Sequence, residues 1–190
     1  MKKVLIFSLV AFSFSTLKAQ SLSFGIKAGA NYSTVLLKDD NSTDYVTGLH
    51  AGALAHFHLS KQWALQPEVL YSIQGAQESG SSNNKLRLNY INVPVLLQYM
   101  FQNGFRLQAG PQIGFLISAK SKLNDEEYDV KDSFKSTDFS FPIGLGYLSK
   151  SGLGIDGRWV PGVSNIQKGD YSPTNNVFQL GLFYQFGNHK

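Results

Sequence analysis

LHAGALAHFHLSKQWALQPEVLYSI, residues 49–73, holds two alternating runs joined by three polar residues. Leu49, Ala51, Ala53, Ala55, Phe57 and Leu59 fall on one face, against His50, Gly52, Leu54, His56 and His58 on the other. After Ser60-Lys61-Gln62, the residues Trp63, Leu65, Pro67, Val69, Tyr71 and Ile73 oppose Ala64, Gln66, Glu68, Leu70, Ser72 and Gln74. A period of two marks β-strands, because successive side chains point to opposite faces of the pleat. A link this short makes the two strands neighbours in an antiparallel hairpin. Runs of roughly ten residues exceed the usual strand of about 5–6.

The same alternation recurs along the chain. Leu22, Phe24, Ile26, Ala28, Ala30 and Tyr32 precede it, opposite Ser23, Gly25, Lys27, Gly29 and Asn31. Five further runs follow, with Ile91–Phe101, Phe105–Ile117, Phe139–Tyr147, Leu153–Trp159 and Phe178–Phe186 carrying the apolar faces. Eight strands are expected, with no stretch of helical periodicity. Their links alternate in length. Residues 60–62, 102–104 and 149–152 are short, whereas 33–46, 75–86, 119–136 and 162–175 are longer and polar. With the N-terminus on the periplasmic side, every short link is a periplasmic turn and every long one an extracellular loop. Strands of about eleven residues also match a bilayer core crossed at a tilt of about 45°.

The N-terminus supports export. Lys2 and Lys3 precede an apolar stretch from Val4 to Leu17, and Leu17-Lys18-Ala19 offers a small residue for cleavage. That order is a secretory signal peptide, so residues 1–19 are expected to be removed and residues 20–190 to form one domain. The cut takes three lysines and leaves 14 basic residues against 13 acidic ones, so the pI of 9.2 gives no reason to expect nucleic-acid binding. The chain has no cysteine. An exported chain without disulfides is held by its core or by closure of its hydrogen-bond ladder. In lipid, strands satisfy their backbone groups only as a closed barrel.

A soluble up-and-down barrel or a β-sandwich would show the same alternation; the chemistry of the faces separates them. One face carries Gly, Gln, Ser, Asn, His and a few charges. The other is bulky and aromatic near the run ends: Tyr32, Trp63, Tyr71, Tyr99, Phe101, Phe105, Tyr147, Trp159, Tyr184 and Phe186. An apolar band with aromatic girdles suits a lipid-facing exterior, and small or polar residues suit the narrow interior of an eight-stranded barrel. The fold expected is an all-β, eight-stranded antiparallel up-and-down transmembrane barrel, with membrane lipids around it. Pro67, Pro94, Pro111 and Pro142 fall inside the runs. Because proline removes a ladder hydrogen bond, local bulges are expected there.

WALQPEVLYSIQG (63–75), LNYINVPVLLQYMF (88–101), FRLQAGPQIGFLIS (105–118) and GIDGRWVPGVSNI (154–166) resemble the PorT-like outer membrane β-barrel domain family. The resemblance spans the chain beyond the signal peptide. It implies an eight-stranded barrel, generally without an assigned activity, and a C-terminal strand whose aromatic Phe186 addresses the barrel-assembly machinery. Gly187-Asn188-His189-Lys190 follow that aromatic, which departs from a strictly terminal position.

Several constellations bear on chemistry. Lys27, His50, His56, His58, Glu68, Arg106, Asp156 and Arg158 are expected to point inward and form a polar network filling the lumen, since buried charges must be paired. Asp138 lies near a strand end. His56 and His58 would bind a metal only with help from other strands, Glu68 being the conceivable third ligand. His50, Ser72 and Glu68 have the residue types of a hydrolytic triad, but no nucleophile elbow accompanies them. Loop 119–136 mixes Asp125, Glu126, Glu127, Asp129 and Asp132 with lysines, and its spacing matches no EF-hand. No catalytic residue, metal or cofactor is assigned. The expected role is structural or surface-binding through mobile outer loops. The alternatives are a small porin-like channel, a lipid-modifying enzyme and a soluble periplasmic ligand-binding barrel.

Overall fold

The computed structural model describes residues 22–36, 43–78, 84–123, 126–168 and 173–187. The expected signal peptide, residues 1–19, lies outside them, as does Asp125. The described strands are β1 (Leu22–Leu36), β2 (Thr43–Asp44), β3 (Val46–His58), β4 (Trp63–Glu78), β5 (Lys85–Met100), β6 (Phe105–Ala109), β7 (Gln112–Leu123), β8 (Glu126–Asp129), β9 (Thr137–Ser140), β10 (Ile143–Leu148), β11 (Leu153–Pro161) and β12 (Thr174–Gln185). One antiparallel sheet contains them all. β6 with β7, and β9 with β10, are halves of single staves, while β2 extends the stave of β3 and β8 that of β9, which leaves the eight expected from the sequence.

The sheet closes because β1 pairs with both β3 and β12. Following paired residues around the ring leads from Leu22 to Phe57, Leu65, Leu97, Ala109, Ile143, Trp159 and Phe178, and back to β1 at Tyr32. The circuit thus returns ten residues further along β1. With a rise of about 3.3 Å per residue and about 4.8 Å between strands, that stagger tilts the staves by about 41° to the axis. A ring of this size has an interior that side chains can fill.

Bulges at the prolines are not what the fold uses. Pro67 pairs with Val95 and Pro94 with Gln112, and the register is the same on either side of each. Pro111 and Pro142 sit where β6 gives way to β7 and β9 to β10, again without an inserted residue. Ladder bonds are lost locally, and neighbours share the remaining groups: Val95 N–H donates to Pro111 O at 2.9 Å and Gly110 N–H to Pro142 O at 3.1 Å. The register shift between β5 and β7 lies elsewhere, between Asn89 and Tyr90.

The ends of the barrel differ. The end carrying residues 59–62, 101–104 and 149–152 is built of tight turns, two of which place a glycine at positive φ (Gly104, 92°; Gly152, 87°). At the other end the strands run further than alternation suggests. β4 reaches Glu78 and β5 starts at Lys85, because a polar hairpin pairs without an apolar face to reveal it. Segment 119–136 is likewise no open loop. β7 continues to Leu123 and folds back as β8, and a 3-10 turn over Lys131–Ser133 then leads to Phe134.

Those outer segments are docked, which corrects the expectation of mobile loops for two of the four. Phe134 and Ile166 are buried against Val35, Ala76, Leu88, Tyr90, Leu116 and Ala119 in an apolar cap over the lumen. Lys135 N–H donates to Ile166 O at 2.8 Å and Lys168 N–H to Ser133 O at 3.0 Å, clipping the two segments together. The barrel exterior, by contrast, is bare apolar surface: Leu49, Leu145, Leu180 and Leu182 are each 58–64% exposed. A water-soluble monomer rarely shows so large a contiguous apolar face. Among the described residues no helix is long and apolar enough to cross a membrane, which says nothing of strands.

Candidate functional site: the lumen

Inward positions are fixed by alternation, and the charges among them by space. Five of the inward side chains are paired with a glycine on an adjacent stave. Lys27 faces Gly52, His50 faces Gly29, Arg158 faces Gly144, Arg106 faces Gly146, and Asp156 faces both Gly146 and Gly181. A methyl group on Gly144 would sit 2.8 Å from Arg158 Cγ, and one on Gly181 would sit 2.8 Å from Asp156 Oδ1. The glycines are therefore the room through which charged side chains cross the barrel.

Arg158 meets Glu68 head-on. Nη1 donates to Glu68 Oε2 at 2.7 Å and Nη2 to Oε1 at 2.6 Å. Nη2 also lies 2.8 Å from Asp156 Oδ2, the atom to which Lys27 Nζ donates. Amides extend the cluster. Gln66 donates to Glu68 Oε1 at 2.7 Å, Gln108 to Asp156 Oδ2 at 3.3 Å, and Gln98 to Gln108 Oε1 at 3.0 Å. Such paired, amide-braced charges satisfy the condition for burying ions, and an Arg fork on a carboxylate is the strongest geometry available.

Of the eight inward residues expected, Lys27, Glu68, Asp156 and Arg158 are joined directly. His56 reaches the cluster through Gln66 (Nδ1 to Oε1, 3.2 Å) and Arg106 through Gln98 (3.3 Å). His58 is half-buried and packs edge-on against His56, with ring centroids 4.6 Å apart. His50 belongs to a second group nearer the capped end. Its Nδ1 lies 2.8 Å from Asn31 Oδ1, while Asn31 Nδ2 donates to Ser72 Oγ at 3.0 Å and Gln179 donates to Asn31 Oδ1 at 3.2 Å. Asp138 accepts from Ser164 Oγ at 2.9 Å.

This arrangement does not assemble a triad. His50 and Ser72 are cross-strand partners, yet Asn31 binds both side chains and Glu68 is held by Arg158. Nor does it assemble a metal centre: among the described residues no three His, Cys, Asp or Glu converge. Sequence reasoning missed the amide braces Asn31, Gln98, Gln108 and Gln179, and the cap residues Phe134 and Ile166. The amides stood on the inward face and were legible as polar filling. Nothing local distinguishes Phe134 or Ile166 from other loop residues.

On the outer face, the aromatics near the turns touch in pairs: Trp63 with Tyr99, Tyr99 with Phe101, Phe105 with Tyr147, and Tyr184 with Phe186, at centroid distances of 5.0–5.3 Å. Tyr32, Tyr71 and Trp159 are also exposed there. Tyr32 stacks on Tyr45 at 4.5 Å, and Trp159 Nε1 donates to Asn176 Oδ1 at 2.6 Å.

Residues 18–168 match the family described as outer membrane protein beta-barrel domain. The fold is similar to Neisserial surface protein A (12% identity, TM-score 0.62, covering 88% of this chain and 100% of that one). It is also similar to Ail, the attachment invasion locus protein of Yersinia pestis (15% identity, TM-score 0.54, covering 86% and 98%). At such identity the likeness concerns the fold. No curated protein matches the sequence.

Proposed function

Because the chain belongs to the outer membrane protein β-barrel domain family, an outer-membrane protein of a Gram-negative cell, we propose that it is a closed, non-conducting barrel that acts through its outer surface. The observation that carries this reading is the filled lumen: a charged strut across its middle, and above it the cap of Phe134 and Ile166. A small porin-like channel would require both to move. Eight-stranded barrels generally have interiors that side chains fill.

Surface action has a specific candidate. The β7–β8 hairpin carries Leu123 and Tyr128 exposed, and among the described residues β8 is paired on one edge only, by β7. A free strand edge with apolar side chains is a template for adding an extended segment of a partner protein. The aromatics Trp63, Tyr99, Phe101, Phe105, Tyr147, Tyr184 and Phe186 at the turn end, and Tyr32, Tyr71 and Trp159 towards the other, anchor the barrel at the two lipid headgroup layers. The signal peptide exports the chain, and β12 with Phe186 presents it to the assembly machinery. The narrower PorT-like resemblance rests on the four motifs quoted above.

The absence of cysteine makes the test clean. In intact cells a membrane-impermeant maleimide should label Tyr128→Cys fully and Ser149→Cys only after permeabilisation. Labelling in the reverse order would place the hairpin in the periplasm and end the proposal.

A further inference from the structure

The buried charges do not balance in the half of the lumen nearer the turns. At its middle and turn end Lys27, Arg106 and Arg158 are buried with two carboxylates, Glu68 and Asp156; the third buried carboxylate, Asp138, lies towards the capped end, on Ser164. Lys27 and Arg158 take both. Among the described residues Arg106 forms no ion pair, although it is only 5% exposed. Its Nη1 makes one long hydrogen bond to Gln98 (3.3 Å), its guanidinium centre lies 5.7 Å from the Phe183 ring, and its Nε has no partner. A buried guanidinium left in this state is costly unless an anion reaches it.

Arg106 lines a cavity of about 630 Å³ at the turn end of the barrel. That volume falls within the range of small-molecule sites. The same cavity is lined by Lys61 and Lys150 from two of the turns and by His56 and His58 from β3, and among the described residues no Asp or Glu contributes to its wall. Positive groups of one sign around a low-dielectric recess focus their field on its interior. Above the recess, Asp156 is the nearest carboxylate, and Lys27 and Arg158 already share its Oδ2, so Arg106 forms no ion pair with it. The cap closes the opposite end, so an anion would enter from the turn side.

We propose that this vestibule binds a phosphate-bearing anion on the periplasmic side, with Arg106 as the buried ligand and Lys61 and Lys150 as rim cations. A planar guanidinium offers paired donors to phosphate oxygens, and lysine ammoniums add point charge at the rim. The recess is also lined by Phe101, Phe105 and Tyr147, residues of the outer aromatic face. Its mouth therefore lies where either a lipid headgroup or a soluble phosphate can arrive. This inference stands apart from the reading of the outer surface, since it concerns the opposite end of the barrel.

The chain has three arginines, so the side-chain Nε–H resonances of the full barrel in maltoside detergent are few and can be assigned by Arg106→Gln. Titration with pyrophosphate, and separately with dihexanoyl phosphatidylglycerol, should shift the Arg106 signal to saturation with at least one of them. The double variant Lys61→Gln/Lys150→Gln, altered only in exposed turns, should weaken that binding at least tenfold. Heat-modifiable migration on gels confirms that the variants are folded. Saturation by pyrophosphate assigns a soluble phosphate, and saturation by the lipid alone assigns a headgroup. No shift with either probe, or a shift that the double variant leaves unchanged, would overturn the proposal.

Discussion

Arg158 on β11 grips Glu68 on β4 through two hydrogen bonds of 2.7 and 2.6 Å, and these staves stand opposite one another in the ring of eight. The pair is thus a strut across the full width of the lumen, joining residues ninety apart in sequence. Asp156 and Lys27 complete it from the staves on either side of β12.

Removing one end of the strut should be far worse than removing both. Arg158→Met leaves Glu68 buried without its partner and should cost about 3–5 kcal/mol. Glu68→Leu combined with Arg158→Leu should recover most of that loss. Urea unfolding in detergent, followed by heat-modifiable migration, measures both. Equal destabilisation by the single and double variants would show that the pair is not the unit of stability.

The inward glycines should be as sensitive as the charges they accommodate. A Cβ on Gly154 would lie 2.2 Å from the Phe183 ring. Gly154→Val is therefore expected to cost about 1–3 kcal/mol or more by overpacking. Adding Phe183→Ala should relieve part of the cost, and a double-mutant cycle should show a coupling of about 0.5–3 kcal/mol. Additive effects would mean that the ring and the glycine do not compete for the same space.

The outer cap should open without unfolding the barrel. Phe134→Ala removes a buried ring from the cap, a change that typically costs about 3–5 kcal/mol in a packed core. The amide of Lys135, bonded to Ile166 O at 2.8 Å, should exchange at least tenfold faster in this variant. Amides in the middle of β4 should keep their protection. Uniform loss of protection would show that the cap is not a separate unit.

Both tryptophans lie on the exterior, Trp63 at the start of β4 by the turns and Trp159 in β11. In single-Trp variants made with Trp159→Phe or Trp63→Phe, lipids labelled with nitroxide near the headgroup should quench each emission more strongly than lipids labelled at the chain end. Preferential quenching from the bilayer centre would refute the girdle assignment.

The alternation of residues 49–73 made the strands, their inward and outward faces and the closed ring legible, because a period of two is local. The inward charges were legible for the same reason. Their partners were not. That Arg158 meets Glu68 on the opposite stave depends on the ten-residue stagger of the ring, which no single run encodes. The docking of Phe134 and Ile166 was hidden because it arises from two segments far apart in sequence. The prolines misled in a different way: they suggested inserted residues, while the ladder simply gives up bonds and keeps its register.

The most direct test of a closed lumen is single-channel recording in planar lipid bilayers with the purified, heat-modifiable barrel, compared with a known porin under the same conditions. Insertion without discrete conductance steps is expected, since the strut and the cap both block the axis. Reproducible steps of constant size from the wild-type protein would contradict it.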